Sequence, residues 1–243
     1  VIKIRSVLKN FQPDWIINTA AYTDVDGAES NKEIAYKVNA EGPYLLAKSA
    51  LEIGAKLIHI STDYVFDGTK KEPYSENDKP NPLQVYGKSK LKGELLIQDT
   101  SITGFIIRTS WVYGYHGKNF VNTMLKLAEE KDEIQVVDDQ FGSPTYVNDL
   151  AEAILRLIIN YSFTKMEILH FSNKGRTSWY EFADYLISIK KINCNINRIS
   201  TEKFNQISKR PKLSEFNLNK IKNNYNIHLK SWYSSINQFI KNY

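Results

Sequence analysis

The sequence predicts an α/β fold: a mostly parallel sheet with helices on both faces, and a small lobe towards the C-terminus. Apolar runs at residues 15–17, 56–60, 105–107 and 168–171 are continuous rather than alternating, the pattern of strands buried on both faces. Between them lie longer stretches with apolar residues at helical spacing and recognisable start and stop residues. A chain of 243 residues, 42% hydrophobic and 24% charged, suffices for one globular unit with a sizeable core.

In chain order, residues 2–11 carry Ile4, Val7, Leu8 and Phe11 at helix spacing, and Pro13 ends the pattern. Trp15-Ile16-Ile17 reads as a short buried strand that runs into Asn18-Thr19-Ala20-Ala21-Tyr22-Thr23. Small residues at a strand end let a flat ligand approach the backbone. Ser30-Asn31-Lys32-Glu33 has capping-box spacing and opens a long helix through Tyr36, Val38, Leu45, Leu46 and Leu51, stopped by Gly54. Asn39 falls inside that helix, where a solvated polar residue is the ordinary expectation. Residues 56–60 form the next strand and deliver Ser61-Thr62-Asp63-Tyr64 at its end. Residues 67–81, with Gly68, Pro73 and Pro80, read as a loop. Asn81 is expected to cap a helix with Pro82 at its first position, carrying Tyr86 and Lys90 and ending near Gln98. The strand at 105–107 ends in Thr109-Ser110-Trp111. An amphipathic helix at 119–130, a strand at 134–137, a turn at 138–145, a helix at 150–159 and a strand at 168–171 follow. Ser178-Trp179-Tyr180-Glu181 is a second capping box, opening a helix to residue 189; the remainder is polar with helical pieces.

Composition narrows the class. No apolar run approaches the length of a membrane span, and no signal peptide is visible. Cys194 is the sole cysteine, so no disulfide can form within the chain, and a reducing, cytoplasmic setting is expected. The net charge of +5 is uneven: from residue 190 onwards there are 11 Lys/Arg and 2 Asp/Glu, a surplus of +9 that leaves −4 for the rest. No zinc-finger or RNA-binding motif accompanies this basic tail, which argues against nucleic acid as the partner. Asp138 and Asp139 are adjacent, and neighbouring side chains in a strand point oppositely, so no metal site is expected there. Asn160-Tyr161-Ser162 matches a glycosylation acceptor by chance in an Asn-rich chain.

The chemistry concentrates in Asn81-Pro82-Leu83-Gln84-Val85-Tyr86-Gly87-Lys88-Ser89-Lys90. Tyr86 and Lys90 share one face of a helix. A phenol titrates at about 10 when unperturbed, and a nearby cation lowers that value. The pair is therefore an acid–base device for a group that gains or loses a proton at oxygen. Tyr44/Lys48 and Tyr161/Lys165 repeat the spacing. Tyr86 differs in its context, because a buried strand ending in Ser61-Thr62 precedes it, and ligands of open parallel sheets sit at the carboxyl ends of strands.

This arrangement resembles the triad of short-chain dehydrogenases/reductases. With the run Arg108-Thr109-Ser110-Trp111-Val112-Tyr113-Gly114, it resembles the dTDP-4-dehydrorhamnose reductase family of extended members, over residues 13–210. The resemblance implies a Rossmann-like fold, NADPH or NADH as cofactor, a dTDP-sugar as substrate and a possible homodimer. It implies Tyr86, Lys90 and Thr62 as catalytic residues. Ala20, Ala21, Tyr22, Thr23, Asn39 and Ser61 would join Tyr86 and Lys90 along the cofactor, with Asn39 supporting Lys90. Val25, Thr62, Asp63, Tyr64, Trp111 and Arg210 would meet the substrate, with Arg210 near its diphosphate. The basic tail would face that anionic substrate. Residues 1–140 and 146–172 would form the dinucleotide-binding domain, and 141–145 with 173–243 the substrate lobe. Some members carry acidic residues at a magnesium-dependent dimer interface; the matching position here is Asn148.

Two alternatives accompany the resemblance. One is a nucleotide-sugar epimerase or dehydratase; dehydratases of this group carry Thr-Asp-Glu, whereas Thr62-Asp63-Tyr64 lacks that Glu. The other is a non-catalytic regulatory subunit similar to the methionine adenosyltransferase beta subunit. The sequence holds no G-x-x-G-x-x-G or G-x-G-x-x-G and begins at Val1. A strand–helix–strand unit bearing such a turn is therefore expected to precede it, and without that unit NAD(P)H binding is expected to be poor.

Overall fold

The computed structural model describes residues 2–161, 164–204 and 207–243, so Ser162 of the glycosylation match lies outside them. The N-terminal half runs α1 (Ile2–Phe11), β1 (Trp15–Asn18), α2 (Gly27–Ser30), α3 (Lys32–Tyr36), a π-helical turn (Lys37–Glu41), α4 (Gly42–Glu52), β2 (Lys56–Thr62), α5 (Val85–Gln98), β3 (Gly104–Thr109) and β4 (Val112–Tyr113). There follow α6 (Phe120–Glu130), β5 (Glu133–Val137), β6 (Phe141–Gly142), β7 (Thr145–Tyr146), α7 (Val147–Asn160), β8 (Met166–Phe171), β9 (Thr177–Ser178), α8 (Trp179–Lys190), β10 (Asn195–Ile199), α9 (Thr201–Phe204), α10 (Asn219–Asn224) and α11 (Trp232–Asn242).

The central sheet has the order β1-β2-β3-β8, and every pairing is parallel. Its continuous apolar runs serve two faces. Leu57 and Ile106 pack with Ala47, Ala50 and Ile97 on the α4/α5 side. Ile58, Phe105, Ile107 and Leu169 pack with Leu150, Ile154 and Leu157 of α7 on the other. The register sets Thr62 beside Thr109, and Thr109 beside Phe171, so the strands end together at one edge. A ligand site forms at that edge because the backbone groups of ending strands are free to meet it.

A second core joins α6, β5, α8 and α11 through Val121, Leu125, Ile134, Phe182, Leu186, Trp232 and Phe239, with β5 paired to β10. This revises the domain boundaries read from the sequence. Residues 120–137 belong with the smaller lobe, because β5 finds its hydrogen-bond partner in β10 and not in the central sheet. Conversely, Ile221, Tyr225, Ile227 and Leu229 return to the central core beside Phe105 and Ile58, inside the stretch assigned to the lobe. The sequence also missed β10, whose exposed polar residues hide its pairing.

Two helix starts differ from expectation. Ser30 caps nothing: the chain kinks at Asn31, and the single long helix is three pieces with a π turn. The next helix begins at Val85, not after Asn81. Asn81 donates to Asp67 instead, and the Val85 N–H is satisfied by Glu29 Oε1 at 2.8 Å. A carboxylate from a distant turn thus does the work a local cap would do. The predicted capping box at Ser178/Glu181 forms in full.

Helix α5 lies unusually close to its neighbours. A side chain at Gly87 would overlap the Tyr64 carbonyl, and one at Gly93 the Asn39 carbonyl. Both neighbours are backbone and cannot swing away. Gly93→Ala is therefore expected to destabilise the protein by about 1–3 kcal/mol through overpacking, as read by urea unfolding; an unchanged unfolding curve would refute the tight approach.

Candidate active site

One cavity of about 430 Å³ opens at the carboxyl edge of the sheet. The β1–α2 connection supplies Ala21, Thr23 and Val25; the end of β2 supplies Ser61, Thr62, Asp63 and Tyr64. Helix α5 supplies Tyr86 and Lys90, and the stretch after β3 supplies Trp111. Four residues expected at the site do not line it. Ala20 is held by its N–H donating to Asn18 Oδ1 at 3.2 Å. Asn39 is fully buried. Its carboxamide instead clasps the backbone of Tyr22, accepting from the N–H at 2.8 Å and donating to the carbonyl at 3.0 Å, and also donates to Ser89 Oγ at 3.0 Å. Tyr22 is thereby a fixed strut, packed beside Val85 and Tyr86. Arg210 lies in a neighbouring cavity, bonded to Tyr64 Oη at 3.2 Å and paired with Asp26 at 3.1 Å.

Residues that sequence reasoning passed over also line the cavity, among them Thr19, Ile60, Val147, Leu150 and Trp179. Trp179 was visible only as part of a capping box. Its ring stacks on Trp111 at 3.5 Å between centroids and 9° between planes. Trp111 holds a left-handed backbone (φ 48°), a costly conformation for a tryptophan. Gly142 accommodates it, since a side chain there would strike the indole.

The titrating groups are set by burial. Lys90 is almost fully buried and donates to the Ile60 carbonyl at 2.7 Å. Burial pulls its ammonium down to about 8, against the opposing charge of Glu94. Burial also pushes the Tyr86 phenol well above its usual value; the neighbouring Thr62 hydroxyl opposes this, and Asp63 and Tyr64 add to it. The lowering of Tyr86 by Lys90 expected from their spacing is absent here, because Lys90 is turned to the Ile60 carbonyl and His59. Thr62 Oγ1 donates to Asp63 Oδ1 at 3.0 Å and accepts from the Tyr64 N–H. Asp63 is buried with Oδ2 unpartnered, and burial raises its carboxyl to about 6.

Behind this wall, Arg108 forks onto Glu94 with contacts of 2.6 to 3.2 Å, and Ser61 donates to the same carboxylate. Both charges are buried. Asp138 and Asp139 turn to different partners, Arg198 and Thr201. Among the described residues no cluster of His, Cys, Asp and Glu could hold a metal ion.

Residues 2–243 match the family described as the RmlD substrate binding domain. The chain belongs to that family. Among its relatives, the spore coat polysaccharide biosynthesis protein SpsK of Bacillus subtilis is 46% identical over 87% of this chain and 73% of its own. The dTDP-4-dehydrorhamnose reductase of Aggregatibacter actinomycetemcomitans is 42% identical over 93% of this chain and 80% of its own. A crystal structure of dTDP-4-dehydrorhamnose reductase from Bacillus anthracis in complex with NADP superposes with a TM-score of 0.96 at 41% identity, covering 100% of this chain and 85% of that one. The sheet of this RmlD-family chain is Rossmann-like. Where dehydratases of the wider group carry a glutamate, it has Tyr64, tied to Arg210.

The buried carboxyl yields a pH test. Asp63 binds its proton more tightly folded, at about 6, than unfolded, at 3.8. Its contribution is therefore neutral below the unfolded value and destabilising as pH rises through the folded one. Relative to the parent, Asp63→Asn should gain about 2–3 kcal/mol between about pH 4 and 7 and then level off. Denaturant unfolding at a series of pH values measures this, and a pH-independent difference would refute it.

Proposed function

We propose that this chain reduces the C4 keto group of dTDP-4-dehydro-6-deoxy-L-mannose to give dTDP-L-rhamnose, using NADPH or NADH, with Tyr86 as proton donor. The observation that carries the assignment of roles is the convergence of Thr62, Tyr86 and Lys90 on one cavity at the carboxyl ends of parallel strands. The polar groups fit the nicotinamide end of the cofactor: the Tyr86 hydroxyl, the Lys90 ammonium, the Ser61 oxygen as an acceptor, and a wall of small residues at Ala21 and Thr23. The reduced cofactor, when bound, supplies the hydride.

The chain's own groups handle the oxygen. Burial keeps Tyr86 a phenol, so it arrives carrying the proton that a carbonyl needs as it becomes an alkoxide. Thr62 can turn its hydroxyl from Asp63 to the same oxygen, which would place two donors on the developing charge. Lys90 adds a cation at the cofactor side. Trp111 forms the wall against which the sugar ring would lie.

The anionic part of the substrate has a matching surface. A second cavity of about 840 Å³ is lined by Lys70, Lys71, Arg176, Lys209, Arg210 and Lys212, against the carboxylates Asp67 and Asp139. The Arg210–Tyr64 bond links it to the first cavity. A diphosphate held there would leave the sugar pointing at Tyr86. The single cysteine and the nucleotide-linked substrate support a cytoplasmic setting; among the described residues no helix is long and apolar enough to cross a membrane.

Tyr86→Phe removes the proton donor and keeps the ring. Turnover of the 4-keto sugar nucleotide with NAD(P)H should fall by about 10²–10⁴, with cofactor affinity retained in a fluorescence titration. Near-parental turnover would reassign the acid.

A further inference from the structure

Lys90 has a neighbour that the reaction does not explain. His59, on β2, is fully buried and sits between Asn18 and Lys90, with its Nδ1 3.0 Å from Asn18 Nδ2 and its Nε2 3.4 Å from Lys90 Nζ. The proton on its ring can be placed by elimination. The Ala20 N–H can only donate, and it donates to Asn18 Oδ1, which fixes the carboxamide with Nδ2 turned to the ring. That amide nitrogen can also only donate, so His59 Nδ1 must accept. Burial and the charge of Lys90 keep the imidazole neutral. Its one proton is then on Nε2, aimed at Lys90 Nζ.

An ammonium has no lone pair to receive that proton, whereas a neutral amine has one. We propose that His59, oriented by Asn18, is a positioning residue that favours the neutral amine of Lys90 by donating Nε2–H to Nζ. The proposal rests on the reading of Lys90 as the lysine of the active site. The other groups around Lys90 are already engaged. Glu94, one turn along α5, is gripped by Arg108 and Ser61. Tyr86, one turn back, is uncharged as a phenol, and the Ile60 carbonyl accepts from Nζ. Burial pulls Lys90 towards the neutral form and Glu94 pulls the other way; the His59 donor would act in the same direction as burial. The proton balance is simple. Lys90 releases one proton to the surroundings as it becomes an amine, and the amine lone pair takes up the His59 hydrogen bond without transfer.

The test uses the whole chain without cofactor. Nitrogen-15 NMR of the His59 ring should show a protonated Nε2 and a bare Nδ1; the opposite tautomer overturns the proposal with no variant needed. Carbon-13 NMR of labelled lysine, with the Lys90 signal assigned by its loss in Lys90→Arg, then gives the Lys90 titration midpoint. His59→Leu removes the donor and should raise that midpoint by about one pH unit, the worth of one buried hydrogen bond beside a charge. Asn18→Asp offers Nδ1 an acceptor, reverses the tautomer and should also raise it. An unmoved or lowered midpoint in folded Asn18→Asp overturns the proposal. So does an Asn18→Asp effect that persists undiminished in the His59→Leu background, since charge alone would then account for it. In turnover assays with cofactor present the alkaline limb of kcat should follow the midpoint, with KM unchanged. The NMR readings need no turnover, so they separate failure of this proposal from failure of the reductase reading.

Discussion

The buried pair of Arg108 and Glu94 is the interaction on which the rest of the site depends. It bolts α5 to the neighbouring strand through a bidentate contact, and the same carboxylate holds the Ser61 hydroxyl at the end of β2. Tyr86 and Lys90 ride on that helix, so their distance from Thr62 is set by a bond on the far side of the backbone. Two desolvated charges are costly unless their polar atoms find partners. Ser61 takes up what Arg108 leaves of the carboxylate, whereas Arg108 Nη1 is buried without a hydrogen-bond partner and the guanidinium lies over the Phe66 ring. The glycines at 87 and 93 complete the arrangement by letting α5 come down onto the Tyr64 and Asn39 carbonyls.

A second clamp acts from the other side. Asn39 sits in the π turn and binds both backbone groups of Tyr22 and the Ser89 hydroxyl of α5. The loop after β1 and the helix bearing Tyr86 are thus fastened to a common side chain. π turns are frequent at functional sites, and here the extra residue accompanies a carboxamide buried between two working segments. Together the two clamps make the cavity wall rigid before any ligand arrives, which lowers the entropy lost on binding.

The sequence was legible where chemistry and secondary structure are set locally. Tyr86 and Lys90 share a helix face by spacing, Thr62 ends a strand by pattern, and both follow from a dozen residues at a time. It was opaque where a partner comes from far away. Ser30 and Asn81 look like caps because a cap is a local motif, yet the chain kinks at Asn31 after Ser30, and the carboxylate of Glu29 reaches across to Val85 in the place expected of Asn81. Asn39 reads as a surface residue until Tyr22 and Ser89 converge on it. Trp179 gives no sign in its own segment that Trp111 lies against it, and β10 is polar because only its backbone matters to β5. The effect of Lys90 on Tyr86 was not legible, since spacing cannot show that a side chain turns inward to Ile60.

The path of the last fifty residues bears on how the molecule can move. After β10 and α9 in the smaller lobe, the chain crosses to the central core at Ile221–Leu229 and then returns to the lobe as α11. The lobe is therefore stitched to the sheet by strands of chain running in both directions, with apolar anchors at each end. A hinge needs a few residues free to change their dihedral angles while the bodies on either side stay whole. Swinging this lobe away would instead tear anchors from one core or the other. Breathing of the cavity is left to small parts: rotation of the stacked indoles and adjustment of the loop around Arg210, not a clamshell closure.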